Sequence, residues 1–258
     1  MSNVLEGQAA LVTGGGGGIG SASATALARD GAAVVIMGRG RDNLEAAKAR
    51  IVEAVPGAQI EIAVGDVLST DDMQGALLQA RALTGRLDIL VPTVGGGGFG
   101  MLFTKSVEDF RAEMDYNVTT AFIAVRYGAP MMTAGGAIVC ISSTAATMPF
   151  PALATYCASK AALEALVRTA ADELAPMKIR VNAVRPGLTR SQSTGDMFAD
   201  KSTIDRFLKE IPLGRTGETT DIGAAVRYLA GPESSWVTGQ SFAVDGGQEL
   251  RKNPSLTS

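Results

Sequence analysis

The sequence predicts an α/β fold in which a doubly wound parallel sheet of about seven strands carries helices on both faces. Short apolar runs rich in Val and Ile alternate with longer amphipathic segments along nearly the whole chain, which is typical of such sheets. The chain has 258 residues, 46% of them hydrophobic, and can therefore bury a large core. No linker, charged run or internal repeat divides it, which predicts a single domain over residues 1–258.

The predicted elements follow one another as repeated strand–helix units. The predicted strands are Ala9–Val12, Ala33–Met37, Ile60–Val64, Leu87–Val91, Ala137–Ile141, Ile179–Val184 and Ser241–Val244. Apolar residues recur at helical spacing in Leu44–Ala54, Val107–Met131, Ala161–Ala175 and Asp221–Ala230. In a doubly wound sheet, ligands bind at the edge formed by the carboxyl ends of the strands, so we expect the functional residues there.

Composition excludes several classes of function. Lys and Arg total 23 against 26 Asp and Glu, a net charge of -3, so no nucleic-acid partner is expected. Histidine is absent, which excludes Ser-His-Asp hydrolysis and histidine-bound metals, and no metal site is predicted. The two cysteines, Cys140 and Cys157, form no disulfide framework. With no secretory or membrane-spanning segment in the sequence, we expect a cytoplasmic protein without a membrane partner.

Two glycine runs follow predicted strands at the expected ligand-binding edge. Gly14–Gly18 lies between the first strand and a helical segment. Residues without a Cβ let the backbone approach a pyrophosphate, and the N–H groups at a helix N-terminus bind it. A merely flexible strand–helix turn is the alternative interpretation. The second run, Gly95–Gly98, follows the fourth predicted strand.

The end of the second predicted strand indicates which dinucleotide would bind. Gly38 and Arg39 stand there. A carboxylate at this position would hold the ribose hydroxyls of NAD, whereas a guanidinium pairs with the 2′-phosphate of NADP. We therefore expect NADP(H) in preference to NAD(H). A solvated arginine at the start of a helix is the alternative.

Candidate acid/base residues lie near the middle of the chain. Tyr156 and Lys160 are four residues apart at the start of a predicted helix and so share one face. A free phenol titrates near pH 10, about three units too high, and we predict that the Lys160 ammonium lowers the pKa of Tyr156. Ser142 and Ser143 end the strand Ala137–Ile141, where a hydroxyl could bind a substrate oxygen. Surface packing of the Tyr–Lys pair and local backbone bonding of the serines are the alternatives.

Together these segments resemble the short-chain dehydrogenase/reductase family, which has a Rossmann fold, over residues 7–247. Thr13–Gly20 fits the family pattern TGxxxGxG, and Tyr156 to Lys160 fits YxxxK. The resemblance implies an NAD(P)-dependent oxidoreductase that interconverts a ketone and a secondary alcohol. It also implies that Tyr156 exchanges a proton with the substrate oxygen, which Ser143 orients. Lys160 would lower the tyrosine pKa and bind the nicotinamide ribose, and Asn117 would help to hold a water for proton relay.

The same resemblance assigns a cofactor site. It implies that Asp66 contacts the adenine and that the segment from Pro186 to Ser191 holds the nicotinamide carboxamide. The expected cofactor-binding residues are Gly14, Gly16, Gly17, Gly18, Ile19, Gly20, Arg39, Asp66, Val67, Thr93, Val94, Gly95, Tyr156, Lys160, Pro186, Gly187, Leu188 and Ser191.

Two positions depart from the family pattern. Pro92-Thr93-Val94-Gly95 stands where Asn-Asn-Ala-Gly is usual, so two amide side chains and one backbone N–H are lost. Thr93 could replace part of that hydrogen bonding, and Gly95 keeps the close approach. Gly17 occupies a position that is often basic in relatives using NADP, which leaves Arg39 as one of the two usual phosphate contacts.

The expected substrate site combines loops at the same edge with a polar connection, residues 188–214, that we interpret as a lid. The alternative is that this connection is an ordinary surface segment with two short helices. Flexible Met and flat Phe side chains suit an apolar, cyclic or aromatic ketone or alcohol. The expected substrate-pocket residues are Gly97, Phe99, Ala145, Met148, Phe150, Met197 and Phe198, with Met101 and Phe103 also near the hydride path.

Two other functions share these motifs, and the motifs also bear on assembly. A 3-oxoacyl-carrier reductase differs from the ketone reductase only in its partner. A non-catalytic, cofactor-responsive regulatory protein could keep the same fold. The segments Thr238–Gln240 and Asp245–Gly247 match a region that packs between subunits in the family, which implies a homotetramer, with a homodimer as the alternative.

Overall fold

The computed structural model describes residues 3–254, and its central feature is a seven-stranded parallel sheet. The strand order is β3-β2-β1-β4-β5-β6-β9. Strand β7 (Thr189–Arg190) pairs with β8 (Gly217–Glu218) in a separate two-stranded sheet. The other bounds are β1 Ala9–Thr13, β2 Ala33–Gly38, β3 Ile60–Val64, β4 Ile89–Val91, β5 Gly136–Ile141, β6 Ile179–Pro186 and β9 Ser241–Val244. The predicted doubly wound parallel sheet is confirmed.

Helices cover both faces of this sheet because alternate strand residues point to opposite sides. Leu11 faces the layer formed by α3 and α6, whereas Ala10 and Val12 face the layer formed by α1, α2 and α9. Side chains of both kinds are fully buried in two separate apolar clusters. The helices are α1 Gly18–Arg29, α2 Arg41–Ala54, α3 Thr70–Thr84, α4 Val107–Met114, α5 Thr120–Gly128, α6 Ala154–Leu174, α7 Gly195–Ala199, α8 Lys201–Glu210 and α9 Thr219–Ala230.

The segment Val107–Met131, whose spacing predicts helix, is helical but not regular. A 3₁₀ turn follows α5, and a π-helical turn, Asp115–Thr119, separates α4 from α5. Asn117 lies in that turn, and its side-chain Nδ2 donates to the carbonyl of Glu113 at 2.9 Å. Such single π turns occur frequently at functional sites. The π turn thus contains Asn117, which the sequence analysis names as a candidate catalytic residue.

The connection from β6 to α9 contains the two short helices α7 and α8. Apolar side chains of this connection form a third cluster, in which Leu188, Phe207 and Ile211 are buried against Phe150 and Met197. The connection therefore packs over the loops at the carboxyl edge of the sheet. Within residues 3–254, no helix is both long and apolar enough to cross a bilayer.

Candidate active site

A glycine loop joins β1 to α1 and forms a cradle for an anionic group. At Gly14, φ is +62°, and a Cβ there would lie 2.5 Å from Thr93 Oγ1. A Cβ at Gly20 would lie 2.3 Å from the Gly14 carbonyl oxygen, so both positions require glycine. No side chain caps the N-terminus of α1, and its first turn holds no acidic residue, which leaves its N–H groups for a phosphate. This loop fits the pyrophosphate of a dinucleotide.

Arg39 follows β2 at the rim of the same cavity. Its side chain is exposed and forms no ion pair within the described part of the chain. The neighbouring Arg41 instead lies 3.9 Å from Glu45 on α2. Arg39 is therefore the guanidinium at this strand end that remains available to a phosphate.

Thr93 compensates for part of the altered segment after β4. Its backbone N donates to Thr13 Oγ1 at 3.2 Å, and its own Oγ1 donates to the Thr13 carbonyl at 2.5 Å. The Pro92 carbonyl accepts from Ile141 N at 3.2 Å, so the strand end stays tied to β5 despite the missing proline N–H. A hydroxyl thus holds the loop at a position where the resemblance implies an amide side chain.

The candidate acid/base residues meet at the carboxyl ends of β5 and at the start of α6. Lys160 is buried, and its Nζ donates to the Ile141 carbonyl at 2.9 Å and lies 5.8 Å from the centre of the Tyr156 ring. The Ser143 side chain, whose Oγ accepts from Ala145 N at 3.2 Å, lies near enough to Tyr156 to lower the pKa of its phenol. All three residues line one cavity together with the glycine loop.

The pKa of Tyr156 does not shift as the sequence predicts. Burial raises it, the Ser143 hydroxyl opposes this by stabilising the phenolate, and Cys157 and Glu113 raise it further. The Lys160 Nζ donates to the Ile141 carbonyl, and Lys160 does not offset this rise in the tyrosine pKa. Burial also lowers the pKa of Lys160, to about 8. In this state of the protein, Tyr156 is held protonated.

Asn117 is fully buried behind the second glycine run. Its Oδ1 accepts from Gly96 N at 3.0 Å, and its Nδ2 donates to the Gly96 carbonyl at 2.8 Å. A Cβ at Gly95 would lie 2.6 Å from Asn117 Oδ1 and 2.7 Å from Lys160 Nζ. Asn117 therefore fixes the loop rather than lining the cavity, and its role in a proton relay stays a prediction.

The remaining predicted cofactor residues also line the cavity, which has a volume of about 900 Å³. Asp66 has a structural role as well, since its carboxylate accepts from Leu68 N at 3.0 Å. Ser191 is held by Thr194, whose Oγ1 accepts from Ser191 N at 3.0 Å. The lining includes Gly14, Gly16, Gly17, Gly18, Ile19, Gly20, Arg39, Asp66, Val67, Thr93, Val94, Gly95, Pro186, Gly187, Leu188 and Ser191.

The substrate end of the cavity has an aromatic wall. The rings of Phe99 and Phe150 meet edge to face at 6.3 Å, and those of Phe150 and Phe207 do so at 6.0 Å. Of the residues expected from the sequence, Gly97, Phe99, Ala145, Phe150 and Met197 line the cavity.

Four side chains expected near the hydride path are not part of this lining: Met101, Phe103, Met148 and Phe198. Phe103 lies largely in solvent, 84% exposed. Phe198 packs against the third apolar cluster, with the Arg190 guanidinium 4.2 Å from its ring centre. Helical spacing and side-chain type could not distinguish these positions from their neighbours that do line the cavity.

Several residues near the site were not predicted from the sequence. One of them is Glu164, a buried carboxylate that accepts at 2.8 Å from the hydroxyl of Ser142, the serine named with Ser143 that also lines the cavity. Glu164 also pairs with Arg185, which holds Glu249 through two bonds of 2.9 and 3.0 Å. Glu164 lies four residues after Lys160 on the same face of α6, and this spacing could have indicated it from the sequence. Gln248 and Asn253 line the cavity from the C-terminal segment, which sequence spacing could not indicate.

Comparison with known proteins decides the family. A family model described as Enoyl-(Acyl carrier protein) reductase matches residues 14–249. The chain belongs to the short-chain dehydrogenase/reductase family. It is therefore an oxidoreductase of that type, and the family uses NAD(H) or NADP(H).

Relatives of this short-chain dehydrogenase/reductase align over nearly their whole length. An uncharacterized oxidoreductase of Methylorubrum extorquens is 38% identical over 94% of this chain and 98% of the relative. A 3-oxoacyl-[acyl-carrier-protein] reductase of Synechocystis sp. is 34% identical over 95% and 98%. The solved structure of a 7α-hydroxysteroid dehydrogenase complexed with NADH and 7-oxo glycochenodeoxycholic acid is 32% identical, has a TM-score of 0.91, and matches over 99% of this chain and 98% of that one.

Proposed function

We propose that this short-chain dehydrogenase/reductase interconverts a ketone and a secondary alcohol on a largely apolar, cyclic or aromatic small molecule, with NADP(H) as cofactor. The observation that carries the proposal is the convergence of Tyr156, Ser143 and Lys160 with the uncapped glycine loop in one cavity. An apolar aromatic wall forms the other end of that cavity.

The roles of the residues follow from their surroundings. A bound nicotinamide cofactor would supply the hydride in reduction and accept it in oxidation. Because burial keeps Tyr156 protonated, its phenol can donate a proton to the substrate oxygen during reduction. Ser143 can hydrogen-bond the same oxygen, and Lys160 can bind ribose hydroxyls beside the loop. In the oxidative direction, Tyr156 must instead receive the proton, which requires its phenolate.

The preference for NADP(H) rests on Arg39. Its exposed guanidinium has no ion-pair partner in residues 3–254 and stands at the rim of the cavity after β2. A guanidinium can bind a phosphate through two parallel hydrogen bonds. The steroid dehydrogenase neighbour was solved with NADH, so NAD(H) is the alternative to be tested.

A 3-oxoacyl-carrier reductase is the second candidate. The similarity to the Synechocystis reductase and the description of the matching family model favour it. The aromatic wall of Phe99, Phe150 and Phe207 favours a compact ring system over an extended acyl chain.

The test is to follow the loss of reduced-nicotinamide absorbance with NADPH and with NADH across a ketone panel. The panel contains cyclohexanone, acetophenone, a steroid ketone and a 3-oxoacyl thioester. We expect turnover of a cyclic or aromatic ketone with NADPH. Faster turnover of the thioester would establish the second candidate, and turnover with NADH alone would refute the cofactor preference.

Two further expectations belong to the same proposal. A homotetramer is supported by the exposed apolar side chains Phe110 and Phe122 on α4 and α5. A cytoplasmic location is supported by the two free cysteines, Cys140 and Cys157.

A further inference from the structure

A largely buried carboxylate on α4, Glu113, joins three separate segments around the active site. Its Oε1 accepts from Gly98 N at 3.1 Å and from Lys105 Nζ at 3.0 Å, and its Oε2 accepts from Thr155 Oγ1 at 2.8 Å. Its backbone carbonyl accepts from Asn117 Nδ2 at 2.9 Å. Four donors from these three segments thus converge on one residue.

These segments include the backbone that contacts the acid/base tyrosine. Gly97, beside Gly98, lies so close to the Tyr156 ring that a Cβ would approach Tyr156 Cβ to 2.6 Å. Thr155 is the residue before Tyr156 at the start of α6. Glu113 therefore holds the loop on one side of Tyr156 and the helix turn that carries it.

We propose that Glu113 is a positioning residue, which holds the loop 95–105 and the start of α6 in the arrangement that brings Tyr156 to its partners. The proposal deepens the proposed function and depends on it for its kinetic consequence. Asn117 fixes Gly96 from the π turn that follows α4, so the two residues together hold the glycine run at Gly96 and Gly98.

The burial of the Glu113 carboxylate favours this role over that of a surface ion pair. Glu113 and Lys105 are each only 12% exposed, so their attraction is weakly screened and their geometry is held by several bonds. By contrast, Glu108 on the same helix is 80% exposed and lies 3.7 Å from Arg111. Glu108 is therefore a matched control on the same helix.

Glu113 also acts on Tyr156 through its charge. The groups that face Tyr156 are the Ser143 hydroxyl at the end of β5, Glu113 on α4, and Cys157 and Lys160 on its own helix. Of these, Glu113 raises the pKa of the tyrosine and Ser143 lowers it. Removing the Glu113 charge while keeping its shape should therefore lower the Tyr156 pKa.

The first test is hydrogen exchange of the segment 95–105 in Glu113→Ala, Glu113→Gln and Glu108→Ala, which needs no substrate. We expect exchange to accelerate at least about tenfold in Glu113→Ala, to stay near wild type in Glu113→Gln, which keeps an acceptor for Gly98, and to be unchanged in Glu108→Ala. Unchanged protection of this segment in Glu113→Ala would overturn the proposal.

The second test uses a ketone that the wild type reduces. We expect Glu113→Ala to lower kcat about 100-fold with little change in the KM for NADPH, and Glu113→Gln to restore most of the rate. Equal loss in the alanine and glutamine variants would refute positioning by hydrogen bonds.

If Glu113→Ala does not fold, the pKa of the Tyr156 phenol is measured by titration in Glu113→Gln and in the wild type. The Tyr156→Phe variant, which lacks this phenol, assigns the signal. A Tyr156 pKa below that of the wild type supports the contact, and an unchanged one overturns it. If the wild type reduces no ketone, the proposed function fails while the exchange and titration results still decide the role of Glu113.

Discussion

At the residue scale, burial sets the protonation of the two titratable groups of the site, Tyr156 and Lys160. Tyr156 is kept neutral, and Lys160 has a pKa lowered to about 8 because its ammonium is buried. The sequence identified both residues from their spacing. It could not predict the direction of the tyrosine shift, because that depends on burial and on Glu113, which come from other elements.

Arg39 should select the cofactor. We expect Arg39→Ala to weaken NADPH binding about 10- to 100-fold, the value of a charge-assisted hydrogen-bond pair, and to leave NADH binding unchanged. Calorimetric titration measures both, and it is preferable to intrinsic fluorescence because Trp236 is 99% exposed and lines a separate cavity. Arg41→Ala is the control, since Arg41 pairs with Glu45. Equal loss of both cofactors in Arg39→Ala would contradict phosphate recognition.

The buried Lys160 should make the free energy of unfolding depend on pH. Its pKa is about 8 in the folded protein and about 10.4 when unfolded, so below pH 8 the buried charge destabilises the fold by about 3 kcal/mol. Between these values the unfolded chain binds more protons, so wild-type stability gains from rising pH.

We therefore expect Lys160→Met to unfold at higher urea at pH 7, with a gain of about 2 kcal/mol after loss of its hydrogen bond to Ile141. The gain should shrink as the pH rises to about 10. The exposed Lys201→Met is the control. A Lys160→Met variant that is less stable than wild type at every pH would contradict this account.

At the element scale, the loop after β4 is the part of the site that the sequence described least well. The departures at Pro92 and Thr93 indicated weakened support for the cofactor site. Thr93 restores two hydrogen bonds to Thr13, and α4 and its π turn hold the glycines that follow. Contacts between segments far apart in sequence decide this, and neither spacing nor propensity encodes them.

Gly97 should be essential to that loop. An added Cβ would meet Tyr156 Cβ at 2.6 Å, so Gly97→Ala must displace either the loop or the ring. We expect kcat for ketone reduction to fall about 100-fold while NADPH binding is retained. Gly96→Ala, whose Cβ would lie at an ordinary 3.5 Å from Tyr116, should be nearly as active as wild type. Similar rates for both variants would contradict the tight contact.

At the scale of the whole molecule, the sheet was predicted well because its strands are short, apolar and regularly spaced. All seven predicted strands are present, with bounds shifted by no more than a few residues. Parallel topology then places the glycine loop, Ser143 and Tyr156 at one edge. The substrate wall was predicted only in part, because the packing of the connection containing α7 and α8 decides which apolar side chains face the cavity.

Assembly is a separate property of the whole molecule. We expect light scattering to give the mass of a tetramer, and a charge placed on the exposed apolar face by Phe122→Glu to shift the protein to smaller species. The substitution Val52→Glu, at an exposed apolar side chain on α2, is the control. A monomeric wild type would contradict the expectation.

The central claim is that Tyr156 is the proton donor and acceptor of a nicotinamide-dependent reaction in this cavity. Its most direct test is the turnover of Tyr156→Phe, which removes the phenolic oxygen and keeps the ring, on a ketone that the wild type reduces, with NADPH binding measured on the same samples. We predict that kcat falls at least about 1000-fold while the Kd for NADPH is unchanged. Turnover of Tyr156→Phe at the wild-type rate would contradict the mechanism.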